Sequence, residues 1–355
     1  MENKRICLAI PSLNIGGMER VMIEIAHFIK NNSDYEVTII KLTRTEKNFY
    51  TIPNGVTLVE PDFLFNRKLR IYHSFKLLWF LIKTIRRIKP LSVLSFGEMY
   101  NSFVLLSSFF TNTKYFVSDR SQPNRKWGFF HEKMRKLIYG RANGIIAQTS
   151  YSKDFFEKEL NHNNIQVIPN PGRDHDYIKS DKENIILYVG RIIPNKKVDL
   201  LIDIFAKINN SEWQLWIVGD GPERQRIENQ IQSSELKERI TFFGAQKNVN
   251  DFYSKAKIFA FTSISEGFPN VLIEAHSYAV PTIAFDCVAG PSDIIDDGEN
   301  GFLIPLLDTK TFEEKLALLM ADPNLIERMS TNALKSSKKY KVNVISEQFL
   351  KFITS

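Results

Sequence analysis

The chain has 355 residues, of which 43% are hydrophobic and 25% are charged, and its formal net charge is +7. This length exceeds what one hydrophobic core usually supports, so it predicts two domains. The two cysteines, Cys7 and Cys287, exclude a disulfide framework and are expected to be free buried thiols. The sequence shows neither a signal-peptide pattern nor an apolar run of membrane-spanning length, which favours the cytoplasm.

Apolar runs of strand length alternate with helical patterns, which predicts an α/β fold with parallel sheets covered by helices. In the first half, the predicted strands lie at residues 5–10, 36–42, 91–96, 114–119 and 144–150. The same order restarts with a strand at 184–191 and a helix at 198–208. This repetition predicts open α/β domains at 1–172 and 173–336, followed by a helical stretch at 337–355. Ligands of such sheets lie beyond the carboxyl ends of the strands, so a site in a cleft between the domains is expected.

The positive charge is concentrated in the first domain. Residues 1–172 carry 25 Lys and Arg against 14 Asp and Glu, and residues 60–141 alone carry 16 against 5. This excess implies an anionic partner, which is a membrane surface, a phosphorylated substrate or nucleic acid. The segments 73–90 and 125–141 mix aromatic with basic residues, as membrane-interface helices do; alternatively, their apolar residues face the core. The basic residues concerned are Arg86, Arg87, Lys89, Lys133, Arg135 and Lys136.

Three loops that follow predicted strands carry residues suited to a phosphate. Gly16 and Gly17 open the first helix, where residues without a Cβ let the backbone approach an anion; the alternative is a tight turn without a ligand. Arg191 and Lys196 are spaced to neutralise a diphosphate from two sides, although each alone would be an ordinary surface charge. The Gly-rich turn 219–223 either approaches a nucleotide or is a plain turn.

The stretch SISEGFPNVLIEA at residues 263–275 places glutamates on both sides of a turn. Glu274 falls on a predicted helix, where it needs hydrogen-bond donors; the vicinal hydroxyls of a ribose are suited to that, and the alternative is a nearby Arg. Glu266 precedes the turn and is suited to sugar hydroxyls or to developing positive charge. Asn270 is the predicted N-cap, and free N–H groups around Phe268, Asn270 and Val271 are expected to face a phosphate.

No group of His, Cys or acidic residues has convincing metal-ligand spacing, so neither a metal nor another cofactor is expected. The Asp-x-Asp pattern of Asp174 and Asp176 lies in the proline-containing linker 167–176, where a solvated turn is favoured over a metal site.

With these motifs, the sequence resembles the retaining family-4 glycosyltransferases. The likeness covers nearly the whole chain and is most specific at residues 263–301, where the two glutamates are separated by seven residues. It implies the GT-B fold, with two Rossmann-like domains around a nucleotide-sugar cleft. The stretch 286–304 is similar to the subgroup that builds bacterial surface polysaccharides and lipid-linked glycans, often from UDP-N-acetylgalactosamine or UDP-galactose.

The resemblance also implies a role for each matching residue. Arg191 and Lys196 would hold the donor diphosphate, Glu274 the ribose and Glu266 the transferred sugar, which makes Arg191, Lys196 and Glu266 the predicted catalytic residues. Gly16 and Gly17 would approach the diphosphate and the acceptor, and the backbone near Gly244 and Val249 would meet the uracil. Two positions depart from the family pattern: Asp119 and Arg120 stand where many relatives have His-Asp, and Lys197 replaces a glycine.

The predicted function is therefore transfer of a sugar, with retention of anomeric configuration, from a UDP-sugar to a lipid-linked anionic acceptor at the inner membrane surface. The basic domain would meet that acceptor, with Asp119 and Arg120 among the residues concerned. Two rivals stay open: a sugar-nucleotide epimerase of the same fold, and a nucleic-acid-binding protein. The second would explain the positive charge and leave the glutamate pair unexplained, so no nucleic-acid partner is expected.

Overall fold

The computed structural model describes residues 4–14, 16–45, 48–160, 162–173, 175, 177–208, 210–231 and 235–355, with only the backbone given at positions 67, 130 and 235. The chain forms two compact units. Unit 1 consists of Met1–Pro171 together with Val342–Ser355, and unit 2 consists of Gly172–Lys341. Among the helices in these ranges, none is both long and apolar enough to cross a bilayer.

Unit 1 is built on a parallel sheet of seven strands in the order β3-β2-β1-β4-β5-β6-β7. The strands are β1 (Arg5–Ile10), β2 (Glu36–Lys41), β3 (Thr57–Val59), β4 (Ser92–Phe96), β5 (Lys114–Ser118), β6 (Gly144–Ala147) and β7 (Ile165–Val167). The helices that follow them are α1 (Gly17–Asn32), α2 (Arg70–Ile88), α3 (Glu98–Leu106), α4 (Phe129–Ile138) and α5 (Ser150–Leu160).

Both faces of this sheet are buried, which explains the continuous apolar runs of its central strands. In β1, Ile6 and Leu8 pack with helix α1 on one face, whereas Cys7 and Ala9 pack with helices α2 and α5 on the other. The two sets alternate because successive strand side chains point to opposite faces.

Unit 2 has a six-stranded parallel sheet in the order β10-β9-β8-β11-β12-β13. Its strands are β8 (Glu183–Val189), β9 (Gln214–Val218), β10 (Ile240–Gly244), β11 (Ala256–Phe261), β12 (Thr282–Phe285) and β13 (Gly301–Ile304). Its helices are α6 (Val198–Lys207), α7 (Arg224–Ile231), α8 (Asn250–Lys255), α9 (Asn270–Ser277), α10 (Pro291–Ile294), α11 (Thr309–Ala321) and α12 (Pro323–Ser337). The expected α/β architecture with two Rossmann-like sheets is confirmed.

The last helix, α13 (Val342–Thr354), belongs to unit 1. Phe349 and Phe352 enter the unit 1 core, with ring centroids 5.9 Å from Phe96 and 5.3 Å from Phe116. The predicted C-terminal stretch starts at residue 337, whereas the chain returns to unit 1 at residue 342 because Tyr340 is still buried in the core of unit 2.

The strands predicted from long apolar runs are present, and their ends differ by a few residues from the predicted ones. The strands β3 and β7, each of three residues, were not predicted, since these short edge strands are partly exposed and carry no sustained pattern. Cys7 and Cys287 are free and buried as expected, and burial raises the pKa of each thiol to about 12.

Candidate functional site

Two loops at the carboxyl ends of the neighbouring strands β8 and β11 are tied together by hydrogen bonds. The Ile264 amide donates to the Asn195 carbonyl over 2.9 Å. The Thr262 hydroxyl lies 2.9 Å from the Lys196 carbonyl oxygen and 3.1 Å from that of Lys197. These bonds fix the backbone that carries Lys196 relative to the end of β11.

Lys196 and Glu266, predicted to contact different parts of a ligand, form an ion pair with each other. The pair is mostly enclosed, since the lysine side chain is 19% exposed and the glutamate side chain 14%. Removing two charges from water is costly, so such a pair is retained where its geometry serves a purpose. Lysine has three N–H donors and a carboxylate has two acceptor oxygens, so both groups keep capacity for a ligand that carries phosphate and hydroxyl groups.

Arg191 lies on the loop after β8 and is exposed. Within the described ranges, no carboxylate lies close enough to its guanidinium to form an ion pair. Its carbonyl accepts a bond from the Tyr188 hydroxyl over 3.1 Å, which holds the backbone of the loop. The guanidinium is therefore available to an anion at the same strand end as Lys196.

The glycines of the turn 219–223 are required by packing against that loop. A Cβ on Gly219 would lie 1.8 Å from the carbonyl oxygen of Gly190, and one on Gly221 would lie 2.2 Å from that of Ile192. Gly219 also has a φ of +144°, a conformation that other residues rarely adopt. Close contact between two loops thus explains the Gly-rich sequence without a ligand.

Glu274 is held on helix α9 by two protein donors. Its Oε1 lies 3.0 Å from Nε of Arg173, and its Oε2 accepts a bond from the Tyr253 hydroxyl over 3.2 Å. The alternative weighed from the sequence, a nearby Arg, is therefore present. Neither Arg173 nor Tyr253 was identified from the sequence, because nothing in the pattern of either segment points to position 274.

A pocket of about 110 Å³ opens beside Glu274 and includes Val249, Tyr253 and Tyr278 in its lining. The rings of Tyr253 and Tyr278 stack with centroids 5.6 Å apart. Burial, reinforced by the Glu274 charge, raises the pKa of Tyr278 to about 12 and that of Tyr253 well above its ordinary value. Both hydroxyls thus stay protonated around the carboxylate.

A separate surface concavity of about 600 Å³, lined by Trp216 and Phe252 among others, contains none of the predicted site residues.

Asn270 was predicted to be the N-cap of helix α9. It is instead the first residue of the helix, and Pro269 is the N-cap. The Asn270 amide donates to the Phe268 carbonyl over 3.1 Å, so it is not a free donor, and this corrects the prediction. In the described part of the chain, the N–H groups of Phe268 and Val271 have no backbone acceptor. The turn before α9 packs closely against Gly290, where a Cβ would lie 2.2 Å from the ring of Pro269.

Two family models together match most of the chain. The model described as "Glycosyltransferase Family 4" matches residues 15–172, and the model described as "Glycosyl transferases group 1" matches residues 173–336. The chain belongs to the family-4 glycosyltransferases. The family resemblance read from the sequence is thereby confirmed.

Curated relatives match this family-4 glycosyltransferase along almost its full length. The amylovoran biosynthesis glycosyltransferase AmsD of Erwinia amylovora is 27% identical over 344 residues, covering 95% of each chain. The GalNAc-α-(1→4)-GalNAc-α-(1→3)-diNAcBac-PP-undecaprenol α-1,4-N-acetyl-D-galactosaminyltransferase of Campylobacter jejuni is 28% identical over 365 residues, covering 98% of each.

Solved structures confirm the GT-B fold. The lipopolysaccharide outer core galactosyltransferase WaaB aligns with a TM-score of 0.84 at 22% identity, covering 98% of this chain and 99% of that one. The Anabaena protein HepE, solved in complex with UDP, aligns with a TM-score of 0.80 at 18% identity, covering 98% of each chain.

In unit 1 of the glycosyltransferase, Gly16 precedes helix α1, and Gly17 is the first residue of that helix. The φ of Gly16 is 178°, an extended conformation open to any residue. The three atoms nearest to a Cβ there belong to the end of the flexible Glu19 side chain. Neither backbone conformation nor backbone packing therefore demands this glycine, in contrast to Gly219.

Gly244 and Val249 bracket the loop between β10 and α8. Gly244 has a φ of +68°, and its carbonyl accepts a bond from the Gly219 amide over 2.8 Å. Val249 precedes α8 and lines the pocket beside Glu274. Of these two predicted uracil contacts, Val249 thus lies close to the predicted ribose carboxylate.

Asp119 was predicted to meet the acceptor or membrane, but it is buried after β5. Its Oδ1 accepts bonds from the Asn101 amide over 2.8 Å and from the Tyr139 hydroxyl over 2.6 Å. Arg135 is also buried, with its guanidinium 3.9 Å from Asp119 and 2.8 Å from Glu132. This corrects the prediction that Asp119 and Arg135 contact the acceptor or the membrane, because both side chains are buried and bonded to other residues of unit 1.

Arg120 is partly buried, and its guanidinium lies 4.3 Å from the centre of the Phe96 ring. It donates to the side-chain oxygens of Ser118 and Asn170, which are both neutral. Burial lowers the pKa of Arg120 to about 9, so the side chain remains charged at neutral pH.

The other predicted basic residues are exposed. Arg86 and Arg87 lie in the last turn of α2, and Lys89 ends that helix with a left-handed φ of 51°. Lys133 and Lys136 lie on α4, where Lys136 pairs with Glu159 over 2.6 Å.

Asp174 and Asp176 lie outside the described residues, so their predicted solvated turn stays a prediction. Among the residues that are described, no group of three or more His, Cys, Asp or Glu side chains is placed to hold a metal ion.

Lys197 adopts a left-handed conformation, with φ 51° and ψ 43°, directly before α6. This explains why a glycine is usual at this position in the family. A residue with a Cβ loses about 1–2 kcal/mol of stability in this conformation. Glycine avoids this strain, but its larger entropy in the unfolded chain offsets part of the gain. We expect Lys197→Gly to exceed Lys197→Ala in free energy of unfolding by about 1 kcal/mol in urea denaturation. Equal stability of the two variants would contradict the described backbone.

Burial raises the pKa of Asp119 to about 6, with the charge of Glu98 adding to the effect. The folded chain then binds this proton more tightly than the unfolded chain, so stability is lost as pH rises from about 4 through 6. We expect Asp119→Asn to remove this loss and to be more stable than the parent at pH 7 by roughly 1–3 kcal/mol. The measurement is the difference in unfolding free energy between the two proteins from pH 4 to 7. A pH-independent difference would show that this carboxyl does not titrate there.

Proposed function

We propose that this enzyme is a retaining, metal-independent glycosyltransferase that moves N-acetylgalactosamine or galactose from a UDP-sugar to a polyisoprenyl-diphosphate-linked glycan. The product would serve bacterial polysaccharide or glycoprotein glycan assembly at the cytoplasmic face of the inner membrane. The observation that carries the proposal is the enclosed Lys196–Glu266 pair together with the exposed Arg191, all on loops at the ends of β8 and β11.

These charges suit a leaving diphosphate. As the glycosidic bond breaks, negative charge develops on UDP and positive charge on the sugar. Arg191 and Lys196 are fixed donors for the first, and Glu266 is a carboxylate placed for the second or for a sugar hydroxyl. The N–H of Val271 adds a donor at the start of α9, so the residues present supply charge neutralisation without a metal.

The nucleoside would occupy the region around Glu274. A ribose has two vicinal hydroxyls, and Glu274 has two oxygens that already accept from Arg173 and Tyr253. Arg173 is half exposed and can give up its place to a ribose hydroxyl. Val249 lies beside this carboxylate, where it is suited to the uracil together with the backbone at Gly244. The structurally similar HepE was solved with UDP, which supports this donor.

The acceptor is proposed from charge and from relatives. The Campylobacter relative is named for a PP-undecaprenol glycan and for N-acetylgalactosaminyl transfer, and WaaB is named as a galactosyltransferase. A diphosphate acceptor matches the basic excess of residues 60–141. Arg120 holds a partly desolvated cation after β5, which is suited to an anionic acceptor group.

Retention is proposed to follow from attack on the face of the sugar that UDP leaves. A phosphate oxygen of the departing UDP would then take the proton of the acceptor hydroxyl. This route needs positioned charges and no protein nucleophile, which agrees with the side chains gathered at the strand ends.

We expect Arg191→Ala and Glu274→Gln each to weaken UDP binding by about tenfold or more, since each removes a charge-assisted hydrogen bond. Arg226→Ala is the control, because this arginine on α7 of unit 2 is half exposed and pairs with Glu223 and Asp199. Isothermal titration with UDP measures the effect. Binding of a GDP- or ADP-sugar in place of any UDP-sugar, in a thermal-shift panel, would show that the proposed donor is wrong.

We expect Arg86→Glu/Arg87→Glu to lower turnover of a polyisoprenyl-diphosphate-linked acceptor by at least about tenfold while leaving UDP affinity unchanged. The reason is that charge reversal acts on the anionic acceptor and not on the donor loops of unit 2. Lys310→Glu, an exposed reversal on α11, is the control. Equal losses of UDP binding and acceptor turnover would contradict the proposal, as would release of an epimerised UDP-sugar without any acceptor.

A further inference from the structure

Helix α2 has an apolar stripe that faces solvent in addition to the one that faces the core. The core side of the helix consists of Leu77, Leu81 and Ile85 with their neighbours. On the other side, Ile71, Tyr72, Phe75 and Trp79 are 75%, 62%, 70% and 64% exposed. We call these four residues the α2 stripe. The alternative weighed from the sequence, that the aromatic residues of this segment face the core, therefore fails for Phe75 and Trp79.

The α2 stripe is a continuous surface because of its spacing. Residues 71, 75 and 79 are four apart, which places them one above another on a helix. Leu69, directly before α2, is also exposed, so the apolar surface continues beyond the first turn. Large side chains exposed as one group, rather than singly, indicate an interaction surface.

The charges around the α2 stripe are mostly positive, and the acidic neighbour is Asp62, whose carboxylate lies 3.6 Å from the Lys76 ammonium. Residues 63–97 contain eight Lys and Arg and no Asp or Glu. Lys83, Arg86 and Arg87 continue the exposed side of α2 beyond Trp79. In the described part of the chain, no carboxylate pairs with Lys83 or Arg87.

From this we infer that the α2 stripe inserts into the interface of an anionic lipid bilayer, with Lys83, Arg86 and Arg87 binding the lipid headgroups. Aromatic side chains next to unpaired basic ones match the layered chemistry of such an interface, which is apolar below and anionic above. A protein partner would need an apolar groove with acidic residues along its edge to match the α2 stripe and its basic neighbours. The inference deepens the proposed function and rests on it for the membrane-bound acceptor.

The direct test is sedimentation of the full chain with vesicles of phosphatidylcholine alone or mixed with phosphatidylglycerol. We expect binding to the anionic vesicles, weakened by salt, and little binding to the neutral ones. Phe75→Ser/Trp79→Ser should reduce partitioning onto anionic vesicles by at least about tenfold. The reason is that the substitution removes the favourable transfer of two aromatic side chains from water into the bilayer interface. Ile178→Ser, at an exposed apolar residue of unit 2, is the control and should bind as the parent does.

Depth is measured by tryptophan fluorescence with brominated lipids. The parent protein should be quenched, and Trp79→Phe should lose most of the quenching while still binding. Equal vesicle binding by the parent and the Phe75→Ser/Trp79→Ser variant would overturn the inference. The inference would also be overturned if the parent were a dimer that binds no vesicles while the Phe75→Ser/Trp79→Ser variant were a monomer, since the stripe would then contact a second copy of the chain.

The experiment separates this inference from the proposed function, because vesicle binding requires neither donor nor acceptor. Vesicle binding without glycosylation of any lipid-linked acceptor would overturn the proposed function alone. Glycosylation of a detergent-solubilised acceptor without vesicle binding would overturn the inference alone.

Discussion

The hydrogen bonds of the Thr262 hydroxyl to two carbonyls of the preceding loop are the constraint on which the site in unit 2 depends. They join the ends of two adjacent strands that are distant in sequence. Through them, a lysine from one loop and a glutamate from the other face each other in a mostly enclosed space. On an exposed surface the same two side chains would be solvated charges with little mutual energy.

The loops that follow β9 in unit 2 and β1 in unit 1 show that similar glycine-containing sequences meet different requirements. Gly219 and Gly221 are needed where loops touch, whereas Gly16 is not needed by its own backbone or by packing. Composition alone cannot separate these two cases. The distinction matters for function, because only a glycine without a structural reason points to a ligand.

Much of the fold and some of the site could be predicted from the sequence. Long apolar runs identify central strands because burial on both faces favours apolar side chains at successive positions, and the spacing of Glu266 and Glu274 identifies the family. Partnerships such as Lys196 with Glu266 could not be predicted, because they depend on which strand ends are neighbours. The burial of Asp119 was missed for a related reason: the Asn101 amide and the Tyr139 hydroxyl that bond to it come from other elements, which become its neighbours only in the folded chain.

Helix α13 brings residues from the end of the chain into the core of the first unit, where Phe349 and Phe352 pack against Phe96 and Phe116. During synthesis these contacts cannot form until α13 has emerged from the ribosome. Unit 2, in contrast, is made of one continuous segment and is complete in sequence earlier. The half of the protein that is translated first is therefore the half that finishes folding last.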